Sequence, residues 1–339
     1  MGKTTFATSD GLTKKVWEEK LYRDMLKEAY FSRFMGESAD NIVSVKNVLT
    51  KQKGDDITIG IRMKLSGTGV TDGQVLEGAE EALTTYHNHV TLHQYRHAVR
   101  DNGALDRQRA MFSIDEESKS ALQGWGSEKI DGLAFDAILT SPTRIFYKTS
   151  AGSLNTGTAA TAKTALTAAD GKLTPAMVSY MKAYAKTGGG RTYVPLRPVR
   201  VDGKEYYVIL VHPDVMYDWK TDPTYIQTVR EAEVRGPTNP IFSGSVAIWD
   251  GCIIHEHENC LIADDGGTGG AIPWCKGIFM GAQALVWAWG KREEVIQKNF
   301  DYENEHGYAW GIISGCAKPV FNSLDYGSFG IYLARTDIS

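Results

Sequence analysis

Four of the chain's eight histidines fall within one short stretch, "HNHVTLHQYRH" at 87–97. Imidazole is a common ligand for zinc-type ions and the side chain that titrates nearest neutral pH. In an extended strand His87, His89, His93 and His97 would share one face. Neighbours two residues apart lie about 7 Å apart, so one ion could take both His87 and His89, the pair a metal-dependent hydrolase would use. His93 and His97 lie too far along a strand to join them. In a helix His89, His93 and His97 share a face, but one ion reaches only adjacent members. Neither register brings three ligands to one ion, and no H-E-x-x-H follows. The competing reading is a polar strand face with Thr91 and Tyr95 between the histidines, able to titrate within an interface.

A second candidate is "CIIHEHENC" at 252–260, in which Cys252, His255, His257 and Cys260 form C-x2-H-x-H-x2-C. In a strand the two cysteines face opposite to the two histidines, and a tetrahedron cannot close without a bend. The preceding "VAIWDGCII" reads as strand, Asp-Gly turn, strand, which favours a structural role. There is no Walker A motif, no G-x-G-x-x-G after a strand and no G-x-S-x-G. "TGGGRT" and "DDGGTGGA" read as turns. Glu80–Glu81 and Glu293–Glu294 read as solvated. No catalytic residue, metal or cofactor is assigned.

The elements carrying these residues are legible by period. "DDITIGIRMKL" (55–65) alternates, placing Ile57, Ile59, Ile61, Met63 and Leu65 on one face. A Gly-rich stretch follows, then "TTYHNHVTLHQYRHAV" as a return strand. The pair predicts a long hairpin whose strands reach roughly 30 Å at about 3.3 Å per residue. An isolated hairpin is marginal in water and its edges invite pairing, so more chain, or another chain, must cover it. Residues 12–34 read as an amphipathic helix. Residues 113–140 read as a long helix, with a Ser113–Glu116 capping box and a stripe of Leu122, Trp125, Ile130, Leu133, Ala134 and Ile138. Its rod is about 40 Å long. Residues 151–173 are low-complexity Ala/Thr/Gly and read as a loop. "TPAMVSYMKAYAK" reads as a helix capped by Thr174 and stopped by "TGGGR". "YVPLRPVRVDGKEYYVILVHP" reads as a hairpin on an Asp-Gly turn. "DPTYIQTVREAEVR" reads as a short helix. Residues 241–339 read as short strands plus one helix, "GAQALVWAWG".

The 339 residues are 42% apolar and 23% charged, ordinary for a soluble globular chain with a sizeable core. Net charge is −4 and no basic block appears, which argues against tight nucleic-acid binding. No signal peptide and no bilayer-length apolar run is visible. Cys252, Cys260, Cys275 and Cys316 lack paired spacing, so reduced, cytoplasmic thiols are the default.

Three stretches resemble the major capsid proteins of tailed bacteriophages, in the family typified by the coliphage N-four coat protein. They are "VREAEVRGPTNPIFSGSVAIWDGCIIHEHE", "GIFMGAQALVWAWGKR" and "NFDYENEHGYAWGIISGCAKPVFNSLDYGSFGIYLAR". The likeness is carried by Asn239-Pro240 before Phe242-x-Gly244, the Asp250-Gly251 turn, "GAQAL" at 281–285, Asp301-Tyr302, and then Gly315, Lys318 and Phe321. It implies an α+β fold, the tailed-phage capsid fold that encapsulins share. The implied parts are an N-terminal arm (1–45), an extended hairpin loop (46–105), a peripheral domain with a spine helix (106–150) and an axial domain (151–313). The last residues (314–339) return to the peripheral domain.

The resemblance implies a structural, non-enzymatic role. Pentamers and hexamers of the chain would form an icosahedral shell around double-stranded DNA, contacted non-specifically, in virions assembled in the host bacterial cytoplasm. The hairpin would cross a neighbouring subunit, with Ile57, Ile59, Ile61, Met63, Leu65, His87, His89, His93 and His97 at the assembly interface. Residues 1–45 are too short for the cleaved scaffolding segment of some relatives, so a separate scaffolding protein is expected, with a portal, a possible decoration protein and no membrane. Other relatives join subunits by a Lys–Asn isopeptide bond. Lys64 and Asn322 would be the positions, but nothing marks them and no cross-link is expected. The same fold would also suit an encapsulin-like compartment for protein cargo.

Overall fold

The computed structural model describes residues 29–47, 54–63, 65, 67–110, 112–149, 154–191, 194–201, 203–226 and 245–338. Most of the expected 12–34 helix, Lys64 and the Asn239–Gly244 stretch lie outside them. The chain divides into two compact units. One is built, among the described residues, from 95–110, 112–128 and 293–312; the other from 29–94, 129–292 and 313–338.

The larger unit is organised by a mixed sheet. Its strands run in the order Ser245–Trp249, Cys252–Glu256, Lys204–Val211, Ile272–Met280, Ser328–Ala334, Ile145–Lys148, Leu154–Gly157. The run "YVILV" within Lys204–Val211 has no polar face because both faces are covered; Tyr207 to Val211 are all buried. Phe279 and Phe329 stack across the sheet with ring centroids 4.4 Å apart, and Phe146 packs on Phe329 at 4.5 Å. The helix Pro175–Arg191 meets this layer through Tyr184, edge-on to Phe146, and through buried Met177, Val178 and Met181. Pro175 opens it, where no N–H partner is needed. Asp250 (φ 46°) and Gly251 (φ 73°) form the tight turn between Trp249 and Cys252, as the Asp-Gly pair predicts.

The expected hairpin forms, with Asp56–Arg62 antiparallel to Thr85–Thr91 and Ile59 opposite Asn88. Its paired strands are seven residues each, about 23 Å rather than 30 Å. The expected single strand over 84–99 is two strands. The Leu92 N–H closes the ladder on the Asp55 carbonyl at 2.8 Å, and His93–Arg100 then joins a different sheet. Leu92 packs with Val90, Val286 and Ala288, and that burial sets the break.

Three further expectations are corrected. "GAQALVWAWG" is not a helix: Leu285–Phe300 is a strand whose start pairs in parallel with Val43–Lys46. A continuous apolar run does not reveal its own period when it is buried on both faces. The Ala/Thr stretch is ordered in part. Leu154–Gly157 pairs with Ile145–Lys148, and Thr158 caps the helix Ala159–Thr164. Ala162 and Leu166 are buried there beside Trp274 and Tyr332. "TGGGR" does not stop the preceding helix, which is assigned through Arg191, although Gly188 and Gly189 take left-handed φ of 63° and 62°. Of the expected 222–235 helix, 223–226 is helical and the rest lies outside the described residues.

The long helix is Ile114–Leu139, and Ser113 Oγ accepts the Glu116 N–H at 3.4 Å as the capping pattern predicts. In the smaller unit its first half presents Leu122, Trp125 and Gly126. The Trp310 indole lies edge-on to Trp125 at 5.4 Å and sits where a Cβ on residue 126 would be, 2.6 Å away. Glycine at 126 is what lets the tryptophan lie against the helix backbone.

Candidate functional site

The expected interface residues divide by their surroundings. Ile57 and Ile59, like Leu92 and Ala317, pack against the chain's own buried cluster of Val90, Val286 and Ala288. Met63 Sδ accepts a hydrogen bond from the Tyr326 hydroxyl at 3.1 Å. Asn88 Nδ2 donates to the Lys318 carbonyl at 3.1 Å. The paired strands of the hairpin are therefore held by their own unit, with Ile61 half-buried among them. Beyond them Leu65 is 55% exposed, and the tip shows Val75 at 73%, Leu76 at 58% and Leu83 at 58%. The tip is organised by local bonds: the Gly67 N–H to Glu81 at 2.6 Å, the Gly78 N–H to Glu80 at 2.7 Å and the Ala79 N–H to the Leu76 carbonyl at 2.9 Å. Between the inner face of Ile59–Ile61 and the residues beside it runs an open cleft of about 360 Å³.

The histidine cluster is not one site. His87 and His89 lie on the outer face with ring centroids 5.2 Å apart, and His89 Nδ1 is 2.9 Å from Asp56 and 3.1 Å from Thr58 Oγ1. His93 begins the next strand, and His97 lies against Trp125 at 4.7 Å. Among the described residues no group of three metal-capable side chains includes any of these four.

The Cys/His motif likewise makes no metal group among the described residues. Instead His255 and His257 belong to a nest of rings. Tyr30 meets His257 at 4.6 Å, Phe135 meets His257 at 4.6 Å, and Phe34 meets His255 edge-on at 5.5 Å. Asp131 on the long helix accepts the Tyr30 N–H at 2.6 Å and the Phe31 N–H at 3.1 Å, fixing the first described turn of chain to this nest. Burial pushes the Asp131 carboxyl up; those two N–H groups and Arg33 offset only part of it. Burial also pushes the Cys252 and Cys275 thiols up to about 12, and those of Cys260 and Cys316 well above their ordinary value. Such thiols are poor nucleophiles.

Sequence reasoning missed two charged clusters. Arg335, with a nearly buried side chain, binds Asp214 at 2.8 Å, Asp264 at 2.7 Å and Asp337 at 3.1 Å. In the smaller unit Asp101, Asp115 and His306 come within ligand range of one another, with His306 Nδ1 3.3 Å from Asp115. Asp101 already accepts the His306 N–H at 2.6 Å and pairs with Arg107. Burial would raise its carboxyl, but those two partners outweigh it and hold it below the usual range. The cluster therefore reads as a bracket joining three segments. No spacing in the sequence marks it, because Asp115 and His306 are 191 positions apart.

A family model described as phage capsid protein matches residues 5–336. The major capsid protein of Pseudomonas phage KPP25 is 30% identical over 98% of this chain and 97% of its own length. The capsid of Ralstonia phage GP4 superimposes with a TM-score of 0.81 at 25% identity, covering 100% of both chains. The cyanophage Pam1 capsid asymmetric unit, at 21% identity, shares the fold with a TM-score of 0.83 over 99% of both chains.

Proposed function

The chain belongs to the phage capsid protein family, and on that premise we propose that it builds an icosahedral head as pentamers and hexamers around double-stranded DNA. It is a major capsid protein of the tailed-phage type, with an α+β fold. The observation that carries the reading is the end-to-end match: likeness to a major capsid protein runs over 98% of the chain, not over one shared module. The work of such a protein is geometric. One fold makes the same contacts many times at slightly different angles, and stability accumulates over repeated interfaces.

Several features fit that work. A hairpin with a fixed base and an apolar, exposed tip is shaped to contact another copy. Interfaces at His87, His89, His93 and His97 would be polar. A net charge of −4 suits a wall that must not grip packed DNA. In this reading residues 1–45 act as an arm, 46–105 as the hairpin loop, 106–150 and 314–339 as the peripheral domain, and 151–313 as the axial domain. Assembly would take place in the host cytoplasm with a separate scaffolding protein, a portal and, in some heads, a decoration protein.

The test is light scattering on a sizing column, with negative-stain microscopy of the void peak after expression with the phage's head-assembly genes. Closed shells, tubes or sheets are expected. A small, discrete oligomer carrying stoichiometric metal would overturn the reading.

A further inference from the structure

We propose that the bracket of Asp101, Asp115 and His306 is a site for one zinc-class divalent cation, which would lock the smaller unit together. The inference goes beyond the shell reading and does not depend on it. Three segments converge there. Asp101 follows the strand His93–Arg100, Asp115 lies in the first turn of the helix Ile114–Leu139, and His306 is the second residue of the strand Glu305–Ala317. One ligand atom from each lies within 4.8 Å of the other two. An imidazole and two carboxylates form a mixed nitrogen and oxygen donor set that zinc takes, with water in the remaining position.

The distances favour an ion over a plain ion pair. His306 Nδ1 stands 3.4 and 3.3 Å from the two Asp115 oxygens. A charge-assisted hydrogen bond there would be about 2.7–2.9 Å. Two ligands of a tetrahedral zinc, each about 2.0–2.2 Å from it, stand roughly 3.3–3.6 Å apart. Asp101 is held ready. Its Oδ1 accepts the His306 N–H at 2.6 Å, its own N–H donates to the His306 carbonyl at 3.0 Å, and Arg107 pairs with its Oδ2. Outer contacts of this kind fix the orientation of a ligand. Each carboxylate oxygen has a second lone pair, so coordination can leave these contacts in place, and a shift of about 1 Å brings Asp101 in. Charge agrees. Within the bracket Arg107 offsets one carboxylate, and the imidazole, in the neutral form that binds metals, offsets none. One negative charge is left for a cation. The Asp115 and His306 side chains are partly exposed, which gives the ion a way in.

The test is equilibrium dialysis of full-length chain, stripped with EDTA, against zinc chloride, followed by zinc analysis per chain and thermal melting. The original chain is expected to bind one zinc at this site and to melt at a higher temperature with it. H306N and D115N should each weaken that binding at least tenfold and lose the melting shift. H89Q, which breaks the His87–His89 pair, should change neither. Should H306N melt early, D115N, which keeps the shape of its side chain, carries the comparison, with cobalt as a second probe. The original should then show the visible bands of a nitrogen- and oxygen-bound ion without a thiolate charge-transfer band, and D115N should lose them. No retained zinc, zinc retained equally by the original and D115N, or a cobalt spectrum with thiolate bands overturns the site. Zinc displaced by an equal concentration of magnesium overturns the zinc-class assignment. Zinc held within assembled shells leaves the shell reading standing, and shells without zinc overturn only the site.

Discussion

The Asp131 carboxylate accepts the Tyr30 backbone N–H at 2.6 Å, across 101 positions of sequence, and takes the Phe31 N–H as well. A buried acidic side chain on the long helix thus stands in for a helix cap on a segment remote from it. The ring nest of Tyr30, Phe34, Phe135, His255 and His257 closes over the same turn. Asp131→Ala leaves two buried N–H groups without an acceptor and should cost about 2–5 kcal/mol in chemical denaturation, with Asp131→Asn costing less. Equal stability for Asp131→Ala and the original would remove the anchor.

The same carboxyl makes a pH prediction. Its folded pKa is raised above the ordinary value, chiefly by burial, so the native state holds the proton more tightly than the unfolded chain. Its ionised form therefore carries a penalty that is fully present above the folded pKa. That penalty is relieved as pH falls through the folded value toward the unfolded one. Relative to Asp131→Asn, the original chain should gain stability across that window. A stability difference that stays flat or moves the other way would contradict the assignment.

Arg335 near the C-terminus is a buried cation shared by three aspartates. Removing one partner of a buried pair leaves charge uncompensated and costs about 3–5 kcal/mol when the burial is complete. Asp214, itself mostly covered, is the partner whose loss matters most, while the Asp264 carboxylate is largely exposed. Asp214→Ala should lower the melting temperature by clearly more than Asp264→Ala. The reverse order would show that Arg335 is held by the solvent-facing pair.

Gly126 leaves no room for a side chain against Trp310. Gly126→Val should destabilise by about 1–3 kcal/mol through overpacking, and pairing it with Trp310→Leu should recover part of the loss. Simple additivity of the two changes in a thermal-melting cycle would mean that the two positions do not press on each other.

Ile59 and Leu76 separate folding from assembly. Ile59→Asp puts a charge against Val90, Val286 and Ala288 and should destabilise the subunit itself. Leu76→Asp changes an exposed residue and should leave the melting temperature unchanged while shell yield collapses. Normal shells from Leu76→Asp would exclude the tip from the interface.

The thiols should be inert in the native chain. With Cys252 and Cys275 pushed up to about 12 and Cys260 buried, alkylation by iodoacetamide at pH 8 should be slow until denaturant is added, when all four cysteines react. Rapid native labelling of Cys252 or Cys275 would place those side chains in solvent.

By itself the sequence determined the elements whose pattern is local. Alternation at 56–62 set the strand and its Ile face, the Ser113 cap and helical stripe set Ile114–Leu139, and Asp250-Gly251 set its turn. Each depends on period or backbone preference, which neighbours in sequence carry. The order of family-like stretches also led to the capsid family, because order and spacing along the whole chain are sequence properties. Tertiary structure alone decided the rest. "LVWAW" became a strand because Val43–Lys46 offered a parallel partner and burial on both faces erased any period. The histidine row was cut at Leu92 because an apolar cluster claimed that side chain, sending His87 and His89 to one face and His97 to Trp125. Asp131 with Tyr30, Arg335 with Asp214 and Asp264, and Asp101 with His306 join segments whose separation no spacing rule spans. Their pairing is fixed only when the chain closes and buried charge must find a partner.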